Sequence, residues 1–210
     1  MPKVVIFDLD GTVVNAYKAI HKSLNFTLNK FDYPPVTEQM AKRTVGMGDV
    51  NFIQAFFKEA DVEAALKTYR SHHKRALVKY STIQPGAKRV LRILGKRGYK
   101  LAVASNRPKK FSNILLRSLG LKDYFSVVMC GKSKEDIKPK PTLLLAIMRR
   151  FKCRRDEVTY VGDMTIDVQA GRNAGVRTIA VLGGSSTRAE LKRERPFRIV
   201  GSLKEILKFV

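Results

Sequence analysis

The segment Asp8-Leu9-Asp10-Gly11-Thr12 places two carboxylates two residues apart, directly after a short apolar run. In extended backbone such residues project to the same side, and Gly11 lets the chain turn sharply beside them. Two carboxylates at that spacing repel. A bare pair would keep one of them protonated, whereas a bound Mg²⁺ with Asp163 as a further oxygen ligand would neutralise the cluster and leave Asp8 ionised. That arrangement suits phosphoryl transfer, in which an anionic nucleophile must meet a dianionic phosphate. Lys138, in Lys-Pro-Lys-Pro, supplies a cation, and Ser105 with the backbone N–H groups around Leu9 and Asp10 supplies donors for phosphoryl oxygens.

Each residue alone has a plainer reading. Asp-x-Asp can be a turn, Ser105 a helix N-cap ahead of Pro108, Lys138 a solvated lysine, and Asp163 and Asp167 caps of a helical first turn. Their shared placement argues otherwise. In open α/β sheets ligands bind beyond the carboxyl ends of strands, and each of these residues except Lys138 directly follows an apolar, strand-like run. Residues 3–7 (Lys-Val-Val-Ile-Phe) end at Asp8, Leu101 to Ala104 end at Ser105-Asn106, and Val158 to Val161 end at Gly162-Asp163 and then Asp167. Lys138 precedes the helix that leads into the last of these strands.

The elements that carry them alternate. After Pro85-Gly86, a helix over Ala87 to Leu94 stops at Gly98. Further strands are expected at Phe125 to Met129 and Thr178 to Leu182, and helices over Phe111 to Leu119, Pro141 to Phe151 and Asp167 to Ala174, with short runs near Ile199 and from Ser202 to Leu207. Apolar runs without period-two alternation are those of strands covered on both faces, so the pattern predicts an α/β fold with a doubly wound, mainly parallel Rossmann-like sheet. Between Asn15 and about Tyr80 the period is helical, broken at Pro34-Pro35 and at Val45 to Gly48. The expected division is a catalytic core of residues 1–14 and 81–210 and an inserted helical cap of residues 15–80. Phe52, Phe56 and Phe57 read as cap core, and His21, His72 and His73 as solvated helix residues.

A chain of 210 residues with 44% hydrophobic and 28% charged residues fits a folded soluble protein and excludes a disordered or collagenous one. No run reaches the roughly eighteen apolar residues of a membrane helix, and the start Met-Pro-Lys-Val-Val-Ile-Phe lacks a signal-peptide profile, so the cytoplasm is the expected location and no membrane partner is expected. Cys130 and Cys153 have no metal or redox spacing and read as unpaired thiols. The formal charge of +23 is unusual. Roughly twenty lysines and arginines against about three acids fall between residues 86 and 155, a surplus that permits a nucleic-acid or other polyanionic partner. Without aromatic-interleaved or zinc-finger patterns it reads first as a solvated basic surface. A basic nucleic-acid-binding or scaffolding module is the alternative of a different class. Oligomeric state is not legible.

The whole pattern resembles the haloacid dehalogenase superfamily, specifically the group with an inserted helical cap that includes phosphoglycolate phosphatases. Asp8-Leu9-Asp10-Gly11-Thr12 is similar to its first motif, Ser105 to its second, Lys138 to its third and Gly162-Asp163-Met164-Thr165-Ile166-Asp167 to its fourth. The resemblance implies a Mg²⁺-dependent hydrolase of a small phosphorylated metabolite. In that reading Asp8 forms an aspartyl-phosphate, Asp10 serves as acid and then base, and Ser105 and Lys138 hold the phosphoryl group. Asp163 with the Asp8 side chain and the Asp10 carbonyl binds metal, Asp167 is a direct or supporting metal partner, and Leu9, Gly11, Thr12 and Asn106 line the substrate. In the cap, Lys42 to Gly48 resembles a loop that reaches toward substrate, with Arg43 the candidate grip for a second anionic group. Asp10 argues against a dehalogenase or a phosphonate hydrolase of this fold. A sugar-phosphate mutase stays open, and Asn15, where phosphatases of this group commonly have Asp, adds some weight to inorganic pyrophosphate, although Asn there could equally cap the first cap helix.

Overall fold

The computed structural model describes residues 3–133 and 135–210; Met1, Pro2 and Lys134, the last a member of the basic 86–155 stretch, lie outside the described residues. Six strands form one parallel sheet. They are β1 (Val4–Phe7), β4 (Lys100–Ser105), β5 (Val127–Cys130), β6 (Val158–Gly162), β7 (Arg177–Val181) and β8 (Arg198–Val200), in the order β5-β4-β1-β6-β7-β8. β1 is central because both its faces can be buried. Val5 and Phe7 join the core under helices α5 (Ala87–Lys96) and α6 (Lys109–Ser118), while Val4 and Ile6 join the core under α7 (Thr142–Phe151) and α8 (Thr165–Ala174). All four β1 side chains are at most 1% exposed, each contributing about 1.5–3 kcal/mol of apolar burial. This is the doubly wound α/β arrangement.

The chain order reverses around β1, with β4 on one side and β6 on the other, and such a switch point opens a crevice at the carboxyl ends of the strands. Register sharpens the placement. Phe7 lies opposite both Val103 and Val161, and the Asp8 N–H donates to the Val161 carbonyl at 2.9 Å. Asp8 therefore emerges between the ends of β4 and β6, beside Ser105 and Asp163.

Between β1 and α5 the chain forms α1 (Tyr17–Lys30), α2 (Glu38–Thr44), α3 (Gly48–Gln54) and α4 (Val62–Tyr80). These helices share their own core of Ile20, Leu24, Leu28, Phe52, Phe57 and Tyr69, with Phe56 packed against it. The phenylalanine stripe is thus cap core, as its spacing suggested. Two features were not legible from periodicity. The entry and exit of the helical cap are tied by a short antiparallel ribbon, β2 (Val14–Asn15) with β3 (Thr82–Ile83), whose strands are too short to show a period. Helix α9 (Arg188–Arg193) also went unread; its start is closed by Thr187, whose hydroxyl accepts the Glu190 N–H.

The histidines depart from expectation. His73 is 1% exposed, and its Nδ1 lies 3.0 Å from Ser23 Oγ. His72 is half-buried and stacks on Phe26, and His21 Nε2 lies 2.9 Å from the Val36 carbonyl. A helical period marks which face a residue occupies, but His73 falls on a face covered twice, by α1 and by α6, and the second cover is tertiary.

Candidate active site

Asp8, Lys138 and Asp167 form one buried unit. The Lys138 ammonium donates to Asp8 Oδ1 at 2.6 Å, to Asp167 Oδ1 at 2.7 Å and to the Tyr160 hydroxyl at 3.0 Å. All three of its protons are committed. Lys138 is 2% exposed, so the solvated-lysine reading fails. Burial pulls its pKa down, but the charges of Asp167 and Asp8 outweigh that and hold the ammonium well above its ordinary value. Burial pushes Asp8 well above the carboxylate range, against the lowering by Lys138, with Asp167 and Asp163 pushing further in the same direction as burial. Among the described residues Asp8 keeps one oxygen with no side-chain partner.

Asp163 is fully buried and faces the same point. Its Oδ1 accepts the Thr12 hydroxyl at 2.9 Å, and its Oδ2 accepts the Ser185 N–H at 2.8 Å and the Tyr17 hydroxyl at 3.2 Å. Burial first, then the charge of Asp167, push its pKa up to about 7, with the Ser185 and Thr12 bonds opposing. Carboxylate oxygens of Asp8, Asp163 and Asp167 lie within 4.8 Å of one another. Three converging hard oxygen donors are a donor set suited to Mg²⁺. Asp167 is the most heavily occupied of the three. Its Oδ1 is taken by Lys138 and Tyr160, and its Oδ2 accepts the N–H groups of Asp163 and Met164 at 3.1 and 3.0 Å. It therefore does cap α8, and at the same time it fixes Lys138.

The remaining expected residues divide into those at the cavity and those behind it. Asp8, Asp10, Ser105, Asn106 and Lys138 line one cavity between sheet and cap, with Val45, Gly46 and Gly48 of the cap loop opposite. Ser105 is not the α6 N-cap, which is Pro108; its hydroxyl accepts the Arg107 N–H at 3.2 Å and it borders the cavity. The Asn106 amide is consumed by the protein. It donates to the Gly46 carbonyl at 2.7 Å and to the Lys138 carbonyl at 3.0 Å, and it accepts the Lys138 N–H at 2.8 Å, so its role is to place Lys138 and seat the cap loop. Thr12 acts on Asp163, and the Leu9 side chain is fully buried in the sheet core. Gly11, with φ of 85°, bonds its N–H to the Val14 carbonyl at 2.8 Å; a Cβ there would strike the Tyr17 hydroxyl and the Asp163 carboxylate.

Arg43 is the main correction. The cap loop does reach the cavity, but Arg43 turns away from it, donating to the Ser185 carbonyl at 2.6 Å and pairing with Glu190 through both terminal nitrogens. The hydrogen bond from Arg43 holds Glu190 down at about 2. With Lys42 donating to the Gly183 carbonyl at 2.9 Å, this pair clasps cap to core. Glu190 sits on α9, the helix that periodicity did not find. Asn15 is likewise exposed and its side chain accepts the Tyr17 N–H at 3.3 Å, the helix-entry role.

Sequence reasoning missed Arg107, Tyr160, Tyr17 and His73. Arg107 pairs with Asp10 through Nε to Oδ2 and Nη2 to Oδ1, both 2.8 Å, and its Nη1 lies 2.8 Å from His73 Nε2. Burial opposes the charge on Arg107, but Asp10 outweighs it and raises the pKa. Burial, then the Arg107 charge, drives His73 well below its ordinary pKa. One signal was available for Tyr160: a hydroxyl-bearing aromatic in an otherwise apolar buried strand needs a partner for its oxygen.

The described geometry can be set beside known proteins. A family model described as haloacid dehalogenase-like hydrolase matches residues 5–181. A phosphoglycolate phosphatase of Rhodospirillum rubrum is 33% identical over 197 residues, spanning 89% of this chain and 82% of that protein. A protein of Caldanaerobacter subterraneus designated as a candidate pyrophosphatase, PpaX, is 30% identical over 206 residues, spanning 98% and 93%. Among solved structures, a predicted phosphoglycolate phosphatase from Haemophilus somnus superposes with a TM-score of 0.92 at 25% identity, covering 99% of this chain and 97% of that one. No helix among the described residues is long and apolar enough to cross a membrane.

Proposed function

The chain belongs to the haloacid dehalogenase-like hydrolases and is an enzyme of the phosphatase type, and from that premise we propose that it hydrolyses a small phosphorylated acid of the phosphoglycolate kind through an aspartyl-phosphate on Asp8. The observation that carries this reading is Asp8 held by Lys138 in the wall of one cavity, with Asp10 two residues on. The free space of that cavity is small, about 80 Å³. That suits a two- or three-carbon phosphate better than a nucleotide.

In the proposed reaction the free oxygen of Asp8 attacks phosphorus as the bond from phosphorus to the substrate oxygen breaks, and Asp10, as the carboxylic acid, protonates that leaving oxygen. Asp10, now the carboxylate, takes a proton from water as the water oxygen attacks phosphorus, the bond to Asp8 breaks and phosphate leaves. Lys138 keeps Asp8 oriented and Ser105 faces the phosphoryl oxygens. Asp8, Asp163 and the Asp10 carbonyl would hold Mg²⁺, supported by Asp167; when bound, the ion supplies positive charge that offsets the meeting of two anions. Residues 15–80 act as the cap over a core of 1–14 and 81–210, and a cytoplasmic setting accords with the unpaired thiols of Cys130 and Cys153.

Inorganic pyrophosphate is the second reading, favoured by the identity with the PpaX-designated protein. Phosphate release with Mg²⁺ over a panel of phosphoglycolate, sugar phosphates, nucleoside monophosphates and pyrophosphate, with Asp8→Asn as blank, tests both. Phosphoglycolate is expected to dominate. Free phosphate as product excludes a mutase, and wild-type release no greater than the Asp8→Asn blank on every compound sinks the phosphatase reading.

A further inference from the structure

Arg107 ties up both oxygens of Asp10. A carboxylate held in that fork cannot turn an oxygen toward a leaving group without loosening the pair. The pair is also reinforced from the cap. Because a guanidinium only donates, His73 Nε2 must be the acceptor of the Arg107 bond, so His73 is the neutral Nδ1–H tautomer. Nδ1 then donates to Ser23, whose hydroxyl donates to the Ala19 carbonyl at 2.8 Å. Tyr69 stacks on the imidazole at 4.8 Å between ring centres and Phe111 meets its edge at 5.2 Å. The guanidinium is thereby fixed at the wall of the cavity.

Arg107 has five N–H groups, and these contacts occupy three. Two remain at a cavity whose walls are otherwise largely apolar. Of the two cations lining it among the described residues, Lys138 has no proton to spare. Asp49, which lines the wall besides Asp8 and Asp10, is paired with Arg70 at 2.7 and 3.0 Å. Among the described residues, an anionic group arriving on a substrate therefore meets one cation with spare N–H groups, besides the hydroxyls of Ser105 and Tyr69.

We propose that Arg107 couples recognition of a second anionic group on the substrate to release of Asp10, so that the acid is freed when a substrate bearing that group is seated. The proposal rests on the phosphatase reading above and deepens it to substrate selection. An anion on the two spare N–H groups shares the guanidinium charge, the pair with Asp10 weakens, and by linkage anion binding and Asp10 release favour each other. A phosphate ester without a second anion has to break the pair uncompensated. The expected discrimination is about 10–100-fold, that of one charge-assisted hydrogen bond, and it appears in kcat as well as KM because the acid itself is withheld.

The test compares 2-phosphoglycolate with ethyl phosphate, close in shape but lacking the carboxylate, in wild type, Arg107→Met and Arg107→Lys, with p-nitrophenyl phosphate as a probe whose leaving group needs no acid. Wild type is expected to favour phosphoglycolate in kcat by about 10–100-fold. In Arg107→Met that ratio should collapse, with phosphoglycolate turnover falling and ethyl phosphate turnover rising. If Arg107→Met does not fold, Arg107→Lys carries the test: it keeps the charge without the fork, and the ratio falls part of the way by the same two movements. The proposal is overturned if wild type turns over both esters alike, or if the variant that folds loses both in equal proportion. Absence of Asp8-dependent phosphate release from all three compounds instead overturns the phosphatase reading itself.

Discussion

Replacing Tyr160 by phenylalanine removes one oxygen from the centre of the Lys138 network and leaves the shape of the fully buried ring unchanged. That oxygen accepts from Lys138 at 3.0 Å and donates to Asp167 at 2.7 Å. After the change Asp167 still holds Lys138 and two backbone N–H groups, so the acceptor side is nearly satisfied. The donor side is not. Lys138 keeps Asp8 and Asp167 but has one buried ammonium proton with no acceptor, which costs about 2 kcal/mol. In a chain of this length that corresponds to a fall in Tm of about 4–8 °C. Because the Tyr160 bond is one of three that aim the ammonium, Asp8 loses orientation too, and kcat is expected to drop about tenfold with KM little changed. Thermal unfolding and steady-state kinetics on the same preparation check both numbers. A Tm within 1 °C of wild type would refute the reasoning about the ammonium, and a lowered Tm with unchanged kcat would leave Tyr160 a packing residue alone.

Three further outcomes follow from the same geometry. Asp163, pushed up to about 7 from an ordinary 3.8, binds a proton in the folded chain that the unfolded chain has already released. Stability of the metal-free protein should therefore fall as pH rises from about 4 to 7, by on the order of 4 kcal/mol from this group; EDTA-treated melts should give a higher Tm at pH 5 than at pH 8 and the larger Mg²⁺-induced rise at pH 8, and the reverse order contradicts the assignment. Gly11→Ala forces a Cβ at φ of 85° onto Tyr17 and Asp163, so Mg²⁺ affinity measured by calorimetry should weaken at least about tenfold. Arg43→Ala breaks an exposed clasp and should cost under about 1 kcal/mol while raising KM a few-fold; a loss of about 100-fold confined to substrates with a second anion would return Arg43 to the role the sequence suggested.

The strands and their carboxyl-end residues were legible because the signals are local: an apolar run, then a polar residue, repeated at β1, β4 and β6. Asp8, Asp10, Ser105 and Lys138 accordingly meet at one cavity. Failures arose where the partner of a side chain lies far along the chain. Arg43 stands at the end of α2, just before the loop that does reach the cavity, but its direction is set by Glu190, 147 residues on. Asn106 and Thr12 sit at the right strand ends yet spend their hydrogen bonds on Lys138 and Asp163. Arg107 is two residues beyond Ser105, and nothing within Ser-Asn-Arg-Pro distinguishes an arginine on Asp10 from one of the many arginines in solvent.

Charge at the centre ties these residues together. Asp8, Asp10, Asp163 and Asp167 converge there with Lys138 and Arg107. Four carboxylates against two fixed cations leave an excess of two negative charges in a buried place, the charge of one divalent cation. Burial first, with the charges of neighbouring carboxylates adding to it, holds both Asp8 and Asp163 above the ordinary carboxylate range. The surplus of Lys and Arg that gives the chain its +23 does not relieve the excess of negative charge: of the lysines and arginines among the described residues only Lys138 and Arg107 line the cavity, and each of those two cations is matched to carboxylates. A long-range positive field can draw a phosphate toward the protein, but the fixed charges it meets inside are net acidic, so in the proposed mechanism binding and turnover would depend on a cation held by Asp8 and Asp163 rather than on the basic surface.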